Sequence, residues 1–471
     1  MTNYGGSRLT RTRPAYNRLP GVALRSAASQ VQSKRERPRT TAMWLLLVGI
    51  LVIPAGLDIH LSGDSLKFTP GRAMITLLLV PALISMLRPP RRLIASDVFI
   101  VLTALWMVVS RIPENGLDAS AVASALELFG GYFVGRAFFF GPTALTAFLR
   151  IFKAVISIVI MLAVLDPLFR ENVVQSIVAS IVYTPGGVPN QTRFGIIRAA
   201  STLEMAELYG TVCCVAGSIF LYLGPPTAAR FRWAVFAFFG CFLSLSSGPL
   251  LAFALVACFF AYDRLLESFT MRWKVLSLAL VLFLLAVFAS SERPISWLVA
   301  HFTLDPGTAY FRLYVFDYVI EHIKMKPLLG YGFGPIGSDP FLSTTTVDSV
   351  WLVNSARYGI PMIVLFFLAN LMAIVGSQPR GQHDDFMRKA GTGFSQALVT
   401  FILVGITVHF WNATWMFWAV CLGIRASIKE WNHASERLVV RHRDVGARAP
   451  NFGPPVAKKG LIGVTTRFSR L

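Results

Sequence analysis

The stretch that decides the fold begins in an apolar block, Val281-Leu282-Phe283-Leu284-Leu285-Ala286-Val287-Phe288, and ends where apolar sequence resumes at Ser349-Val350-Trp351-Leu352. Between them, Glu292 to Asp348 is mixed in character. It contains Tyr310-Phe311-Arg312-Leu313-Tyr314-Val315-Phe316-Asp317-Tyr318 and the turn-rich Lys326-Pro327-Leu328-Leu329-Gly330-Tyr331-Gly332-Phe333-Gly334. Most other connections are short. A long, patterned loop set among apolar helices is where chemistry is expected, because loops on a rigid scaffold carry binding and catalytic groups.

Outward from that loop the chain is apolar: 55% of its 471 residues are hydrophobic and 14% charged, with mean hydropathy +0.60. Soluble domains carry about 25% charge, so the composition defines an integral membrane protein. A helix needs roughly 20 residues to cross about 30 Å of hydrocarbon. Runs of that kind fall near 43–60, 73–88, 97–111, 118–135, 152–168, 206–224, 232–247, 249–263, 274–290, 349–376, 394–410 and 413–428. The expected fold is therefore an all-α polytopic membrane protein of about 12 transmembrane helices, with a long extramembrane loop containing an amphipathic helix. Residues 1–42 and 429–471 are basic tails around the membrane domain 43–428, and their composition leads one to expect disorder. The five cysteines lie in apolar runs without metal-ligand or disulfide spacing and read as packing residues.

The net charge is +20, and its placement explains it. With twelve crossings both tails share one side with Arg88 to Arg92, Arg136 to Lys153, Arg230 to Arg232, Arg264 to Lys274 and Arg380 to Lys389. Those loops hold fourteen Lys or Arg against ten on the opposite side. The positive-inside rule then puts both termini in the cytoplasm and turns the loops at about 169–205 and 291–348 outward. The excess charge is a topology signal, with attraction of the tails to anionic membrane lipid. Nucleic-acid binding would need a folded basic face with stacking aromatics, which neither tail offers.

The outward loops carry the candidate site residues. Arg193 and Arg198 lie in Asn190-Gln191-Thr192-Arg193-Phe194-Gly195-Ile196-Ile197-Arg198-Ala199-Ala200-Ser201-Thr202-Leu203-Glu204. Arginine near a membrane surface either anchors to lipid phosphate or offers a permanently charged, bidentate receptor for phosphate and pyrophosphate. The small residues after Arg198 favour the second role there. Glu204 and Glu207, three apart, read as interfacial caps or as a substrate-facing pair. Tyr310 to Lys326 reads as an amphipathic helix lying on the outer surface, with Phe311, Val315, Tyr318 and His322 on its apolar side. The glycines at 330, 332 and 334 follow no strand and read as a turn bringing that helix back over the bundle. Asp348 is either a helix cap or a carboxylate able to take a proton from a sugar hydroxyl. Arg357 falls inside a span, where a charge must face a cavity or a partner, and Glu127 and Asp166 raise the same question.

These residues resemble the O-antigen ligase/polymerase superfamily, the Wzy-like polysaccharide polymerases. Arg198-Ala199-Ala200-Ser201-Thr202-Leu203-Glu204 looks like the arginine motif that opens the family's central helix. Tyr310-Phe311-Arg312 with Pro327-Leu328-Leu329-Gly330-Tyr331-Gly332-Phe333-Gly334 looks like its long-loop signature, and Asp348-Ser349-Val350-Trp351-Leu352 followed by Gly359 resembles a ligase motif that opens on histidine. The aspartate in place of that histidine argues for an exopolysaccharide polymerase over a ligase. Ser246-Ser247-Gly248-Pro249 lacks the arginine common at that point, so only Arg198 and Arg312 carry over, with Arg193 as a substitute.

The resemblance implies a glycosyltransferase working on undecaprenyl-pyrophosphate-linked oligosaccharide at the outer face of the bacterial inner membrane. Asp348 and Arg312 are then the expected catalytic residues. Arg198, Arg193, Glu204, Tyr331 and Arg357 are the expected substrate-binding residues. No cofactor or metal is expected. A flippase and a chain-length regulator are the expected partners besides the lipid-linked substrate. The rivals are a ligase passing finished glycan to another acceptor, and a lipid-linked oligosaccharide transporter. A transporter would concentrate ionisable groups at mid-membrane in repeated halves.

Overall fold

The computed structural model describes residues 39–61, 66–89, 91–182, 190–224, 228–269, 271–290, 306–334, 336, 347–376 and 385–448. Helices α1 (Thr40–Leu51), α2 (Pro70–Leu87) and α3 (Ala95–Val109) open the bundle, with a hairpin of β1 (Ile59–Leu61) and β2 (Leu66–Phe68) between the first two. After the short α4 (Ile112–Asn115) come α5 (Ala119–Phe138), α6 (Pro142–Phe169) and α7 (Val173–Val182), then a second hairpin, β3 (Thr192–Arg193) and β4 (Ile196–Ile197). Helices α8 (Ala206–Leu223), α9 (Ala228–Leu243), α10 (Ser247–Leu265) and α11 (Arg272–Ser290) precede the long loop, which contains α12 (Pro306–Met325). The chain closes with α13 (Val350–Tyr358), α14 (Ile360–Ile374), α15 (Asp385–Val404) and α16 (Asn412–Arg448).

Each of the twelve apolar stretches contains a helix. Five of those helices (α2, α6, α8, α10 and α11) are long and apolar enough to cross a membrane by length and composition. The protein is thus a mostly helical membrane protein. Along α11, Leu278, Val281, Leu282, Leu285 and Phe288 are all exposed. A helix apolar on every side and hardly covered by protein needs hydrocarbon around it.

Helix α8 is the axle. Every residue in it except Glu207 is buried, and α9, α10 and α15 pack around it. Its Gly210, Cys213, Cys214, Ala216, Gly217 and Ser218 let neighbours approach closely, which is how helices associate where lipid removes the hydrophobic drive. Helices α5 and α16 cross more closely still: a Cβ on Gly423 would lie 2.1 Å from the Tyr132 carbonyl oxygen. That crossing brings fully buried Arg136 onto Asp97 (Nε to Oδ1, 3.0 Å), Glu430 and the Arg92 carbonyl (3.1 Å), at the end of the bundle away from the long loop.

The amphipathic helix α12 rests on α13 through a small core of its own, made by Val315, Phe316, Val319, Ile323, Ile336, Val347, Leu352, Val353 and Ala356. Its buried stripe therefore runs through Val315, Phe316, Val319 and Ile323. The expected face through Tyr318 and His322 sits one position off, and these two rings are half-buried with centroids 4.1 Å apart, tilted by 34°. The loop expected at about 169–205 is also structured, by α7 and the β3–β4 hairpin.

Residues 434–471 form a separate unit, of which residues to Arg448 are helical. The expectation of disorder fails for this part of the C-terminal tail. Its charged, glycine-poor run supports a helix without needing an apolar face. Residues 1–38 and 449–471 lie outside the described residues.

Candidate functional site

Three arrangements gather at the end of the bundle that carries the β3–β4 hairpin and the turn after α12. The first surrounds the end of α9. Asp166, buried at the end of α6, accepts from Ala200 N (3.0 Å), Ser201 N (2.9 Å) and Val173 N (3.0 Å), which pins the 198–204 segment. Asp166 is therefore an organising carboxylate, satisfied by backbone donors. The pinned segment aims Arg198 at the carbonyls that close α9. Its Nε donates to Ser244 O (3.3 Å), Nη1 to Gln191 Oε1 (2.7 Å) and Nη2 to Glu207 Oε1 (2.5 Å). Arg193 Nη1 donates to Leu245 O at 2.9 Å. Two guanidiniums at a helix C-terminus satisfy orphan carbonyls and oppose the negative end of the dipole. The structure thus brings Arg193, Arg198 and Glu207 together.

The second arrangement is the return turn. Helix α13 stops at Gly359, whose φ of +80° and a Cβ that would lie 1.9 Å from Leu328 O admit no side chain. The carbonyls left open there are capped from outside the helix. Tyr331 N donates to Ala356 O (2.6 Å), Gly332 N to Arg357 O (3.0 Å) and Trp106 Nε1 to Tyr358 O (2.9 Å). The Tyr331 hydroxyl donates to His322 O at 3.0 Å, fastening the turn to α12. The turn-rich motif is thus a cap for a broken helix, and it does bring α12 back over the bundle. Asp348 is exposed two residues before α13, and the capping role belongs to Ser349, whose side chain accepts from Leu352 N at 3.4 Å. Arg312 lies on α12, but its side chain lies outside the described residues.

The third arrangement is a cavity of about 330 Å³ where α2, α5, α13 and α16 meet this turn. Arg72, in the first turn of α2, reaches into its wall and donates Nε (3.1 Å) and Nη2 (2.8 Å) to Glu127 Oε1 of α5. Glu127 therefore pairs across the bundle with Arg72. Arg357 lines the same cavity from the end of α13, with its guanidinium 4.7 Å over the Phe333 ring of the return turn. No carboxylate pairs with it among the described residues, and its Nε is buried without a hydrogen-bond acceptor. His409, Trp411 and Asn412, just before and at the start of α16, complete the wall. Behind Asn412 sits Glu204, both oxygens buried and outside hydrogen-bond geometry, its pKa pushed up to about 7 by burial. The lining holds two guanidiniums and one carboxylate, so one positive charge is uncompensated among the described residues.

Of these residues, sequence reasoning picked out Arg357, Glu204 and Glu127 but missed Arg72, His409 and Asn412. Arg72 fell one residue outside the apolar run 73–88, and His409 and Asn412 flank the join of two spans. The available signal was Arg72 at the mouth of one span and Glu127 within another, opposite charges among apolar residues.

A family model described as O-antigen ligase (Wzy_C) matches residues 233–367. The match takes in the long loop, the return turn, Asp348 and α13, and leaves the Arg198 segment outside it. This chain accordingly carries an O-antigen ligase-type region, which supports membership of the O-antigen ligase/Wzy-like superfamily. The match supports a membrane glycan-handling enzyme of the Wzy/ligase class. A search of curated proteins finds no match.

Proposed function

We propose that this protein is a polysaccharide polymerase, joining undecaprenyl-pyrophosphate-linked oligosaccharide units at the outer face of the inner membrane. In this reading all twelve stretches cross, both tails are cytoplasmic, and the cavity and return turn face the periplasm. The observation that carries it is the cavity itself: a cationic, aromatic-walled hollow beside the long loop of a region matched by the O-antigen ligase family. Aromatic rings and amides suit sugars, and fixed guanidiniums suit anionic groups that form or move during transfer.

The acceptor hydroxyl oxygen attacks the anomeric carbon of the donor chain as the bond from that carbon to the pyrophosphate oxygen breaks. The bonding electrons leave with the pyrophosphate, and Asp348 accepts the hydroxyl proton. Arg312 offsets the charge that grows on the leaving group, and Arg198 and Arg193 take the pyrophosphate only by exchanging it for their present contacts to Glu207 and the carbonyls that close α9. Tyr331 fixes the turn against which substrate lies, and Glu204 and Arg357 serve the cavity side. Holding two lipid-anchored substrates side by side supplies much of the remaining rate. A flippase would deliver the repeat units, and a chain-length regulator would set the product.

Deletion of the gene, with sizing of surface polysaccharide and lipid-linked intermediates, tests this reading. Long chains should disappear and lipid-linked single repeats accumulate. Normal chain length with glycan missing from its final acceptor would instead identify the ligase reaction, and unchanged glycan would dismiss both.

A further inference from the structure

We propose that the cavity is a subsite for an acidic sugar, one hexuronate-type residue of the glycan, held by its carboxylate on Arg357. This rests on the polymerase reading only in taking the ligand to be part of a glycan. Arg357 is half-buried with its Nε fully covered, and a guanidinium so placed with no anionic partner among the described residues is costly unless something compensates it. Arg72 cannot share the compensation at Arg357, because Glu127 already neutralises it through two hydrogen bonds. The site therefore offers a single uncompensated positive charge, which matches a carboxylate better than a pyrophosphate.

The rest of the lining has the chemistry of a sugar site. Asn354 and Asn412 offer amides, Ser120 and Ser124 hydroxyls, and Trp411 and Trp415 aromatic surface. A planar guanidinium binds a carboxylate through two parallel hydrogen bonds, and Phe333 beneath Arg357 holds its plane. At about 330 Å³ the cavity is near the lower end of ligand sites, so it suits one or two sugar rings and not a whole repeat unit.

The test uses the purified full-length protein in detergent micelles, with tryptophan fluorescence as readout because Trp411 and Trp415 line the cavity. Methyl glucuronoside, methyl glucoside and inorganic pyrophosphate are titrated separately. The glucuronoside should bind about ten-fold or more tighter than the neutral glucoside, the worth of one charge-assisted contact. Arg357→Gln should abolish that preference, and Arg357→Lys should keep part of it. Equal binding of the two glycosides by the unmodified protein overturns the proposal without any variant having to fold. So does pyrophosphate binding that exceeds glucuronoside binding and is lost in Arg357→Gln, since the anion would then be the carrier's. Loss of long chains on gene deletion with equal glycoside binding sinks this subsite and spares the polymerase reading. Preferential glucuronoside binding with unchanged polymer does the reverse.

Discussion

Replacing Glu127 tests whether the cavity is built on a fixed ion pair, and it should move two measurements in opposite directions. Arg72 gives both its Nε (3.1 Å) and its Nη2 (2.8 Å) to a single Glu127 oxygen, and the side chains are only 10% and 4% exposed. Removing one partner of a buried pair typically costs about 3–5 kcal/mol, because the other charge is stranded. Glu127→Ala should lose that much. Glu127→Gln keeps a neutral acceptor and should lose about 1–2 kcal/mol, the gap between charged and neutral hydrogen bonds. The double variant Arg72→Met with Glu127→Leu strands nothing. Its loss should fall short of the two single losses added together, by about 0.5–3 kcal/mol. Unfolding in mixed micelles by SDS, followed by tryptophan fluorescence, measures the cycle. Glu127→Gln also leaves the lining with two cations and no anion, so it should bind glucuronoside more tightly while folding less stably. The Glu204 pKa should come down as well, since the Glu127 charge helps raise it. Additive stabilities, or weaker glucuronoside binding in a folded Glu127→Gln protein, would refute the reasoning.

Gly359→Ala should cost more than about 3 kcal/mol, from a left-handed backbone and a Cβ overlapping Leu328 O; a melting temperature equal to the parent's would dismiss the capped break. Arg312→Ala, inserted at normal levels, should abolish long polymer and accumulate single lipid-linked repeats, and normal chain lengths would remove Arg312 from the reaction. Asp348→Asn should lose far more activity than Asp348→Glu, whereas equal activities would leave Asp348 without a part in proton transfer. Glu204, its pKa raised by burial from 4.5 to about 7, contributes stability below pH 4.5 that is lost as pH rises through 7, so Glu204→Gln should flatten the neutral limb. Unchanged melting curves for this variant across that range would discard the assigned titration.

Much of the frame was legible because membrane helices announce themselves by length and apolarity. Helix α8 shows both the reach and the limit of that signal. Its apolar run located the helix, but nothing in the run said that it would be wrapped on all sides while α11, equally apolar, would stay bare. Burial among neighbours is a tertiary outcome that periodicity does not encode when every face is apolar. The same limit shifted the α12 stripe by one position, since Phe316 and Tyr318 are both aromatic and only contact with Leu352 and Val353 separates them. The Pro327–Gly334 turn was legible as a turn, and its purpose was not: that required the end of α13 to be set beside it.

The arginines illustrate why residue type alone ranks site candidates poorly. Arg198 stands in the more suggestive sequence, yet each of its three guanidinium nitrogens is spent on the protein, and Glu207 cancels its charge. A pyrophosphate approaching it must compete with a carboxylate at 2.5 Å. Arg357 looked like an awkward charge inside a span, yet at the cavity it is the guanidinium without an anion among the described residues. What separates them is the company the fold gives each. Arg198 meets the end of α9 and the only unburied residue of α8, both of which a cation stabilises. Arg357 stands at the end of a half-helix whose carbonyls are already capped by Tyr331, Gly332 and Trp106. With those acceptors taken by backbone and indole donors, its guanidinium is turned to the cavity and can answer only to what enters there.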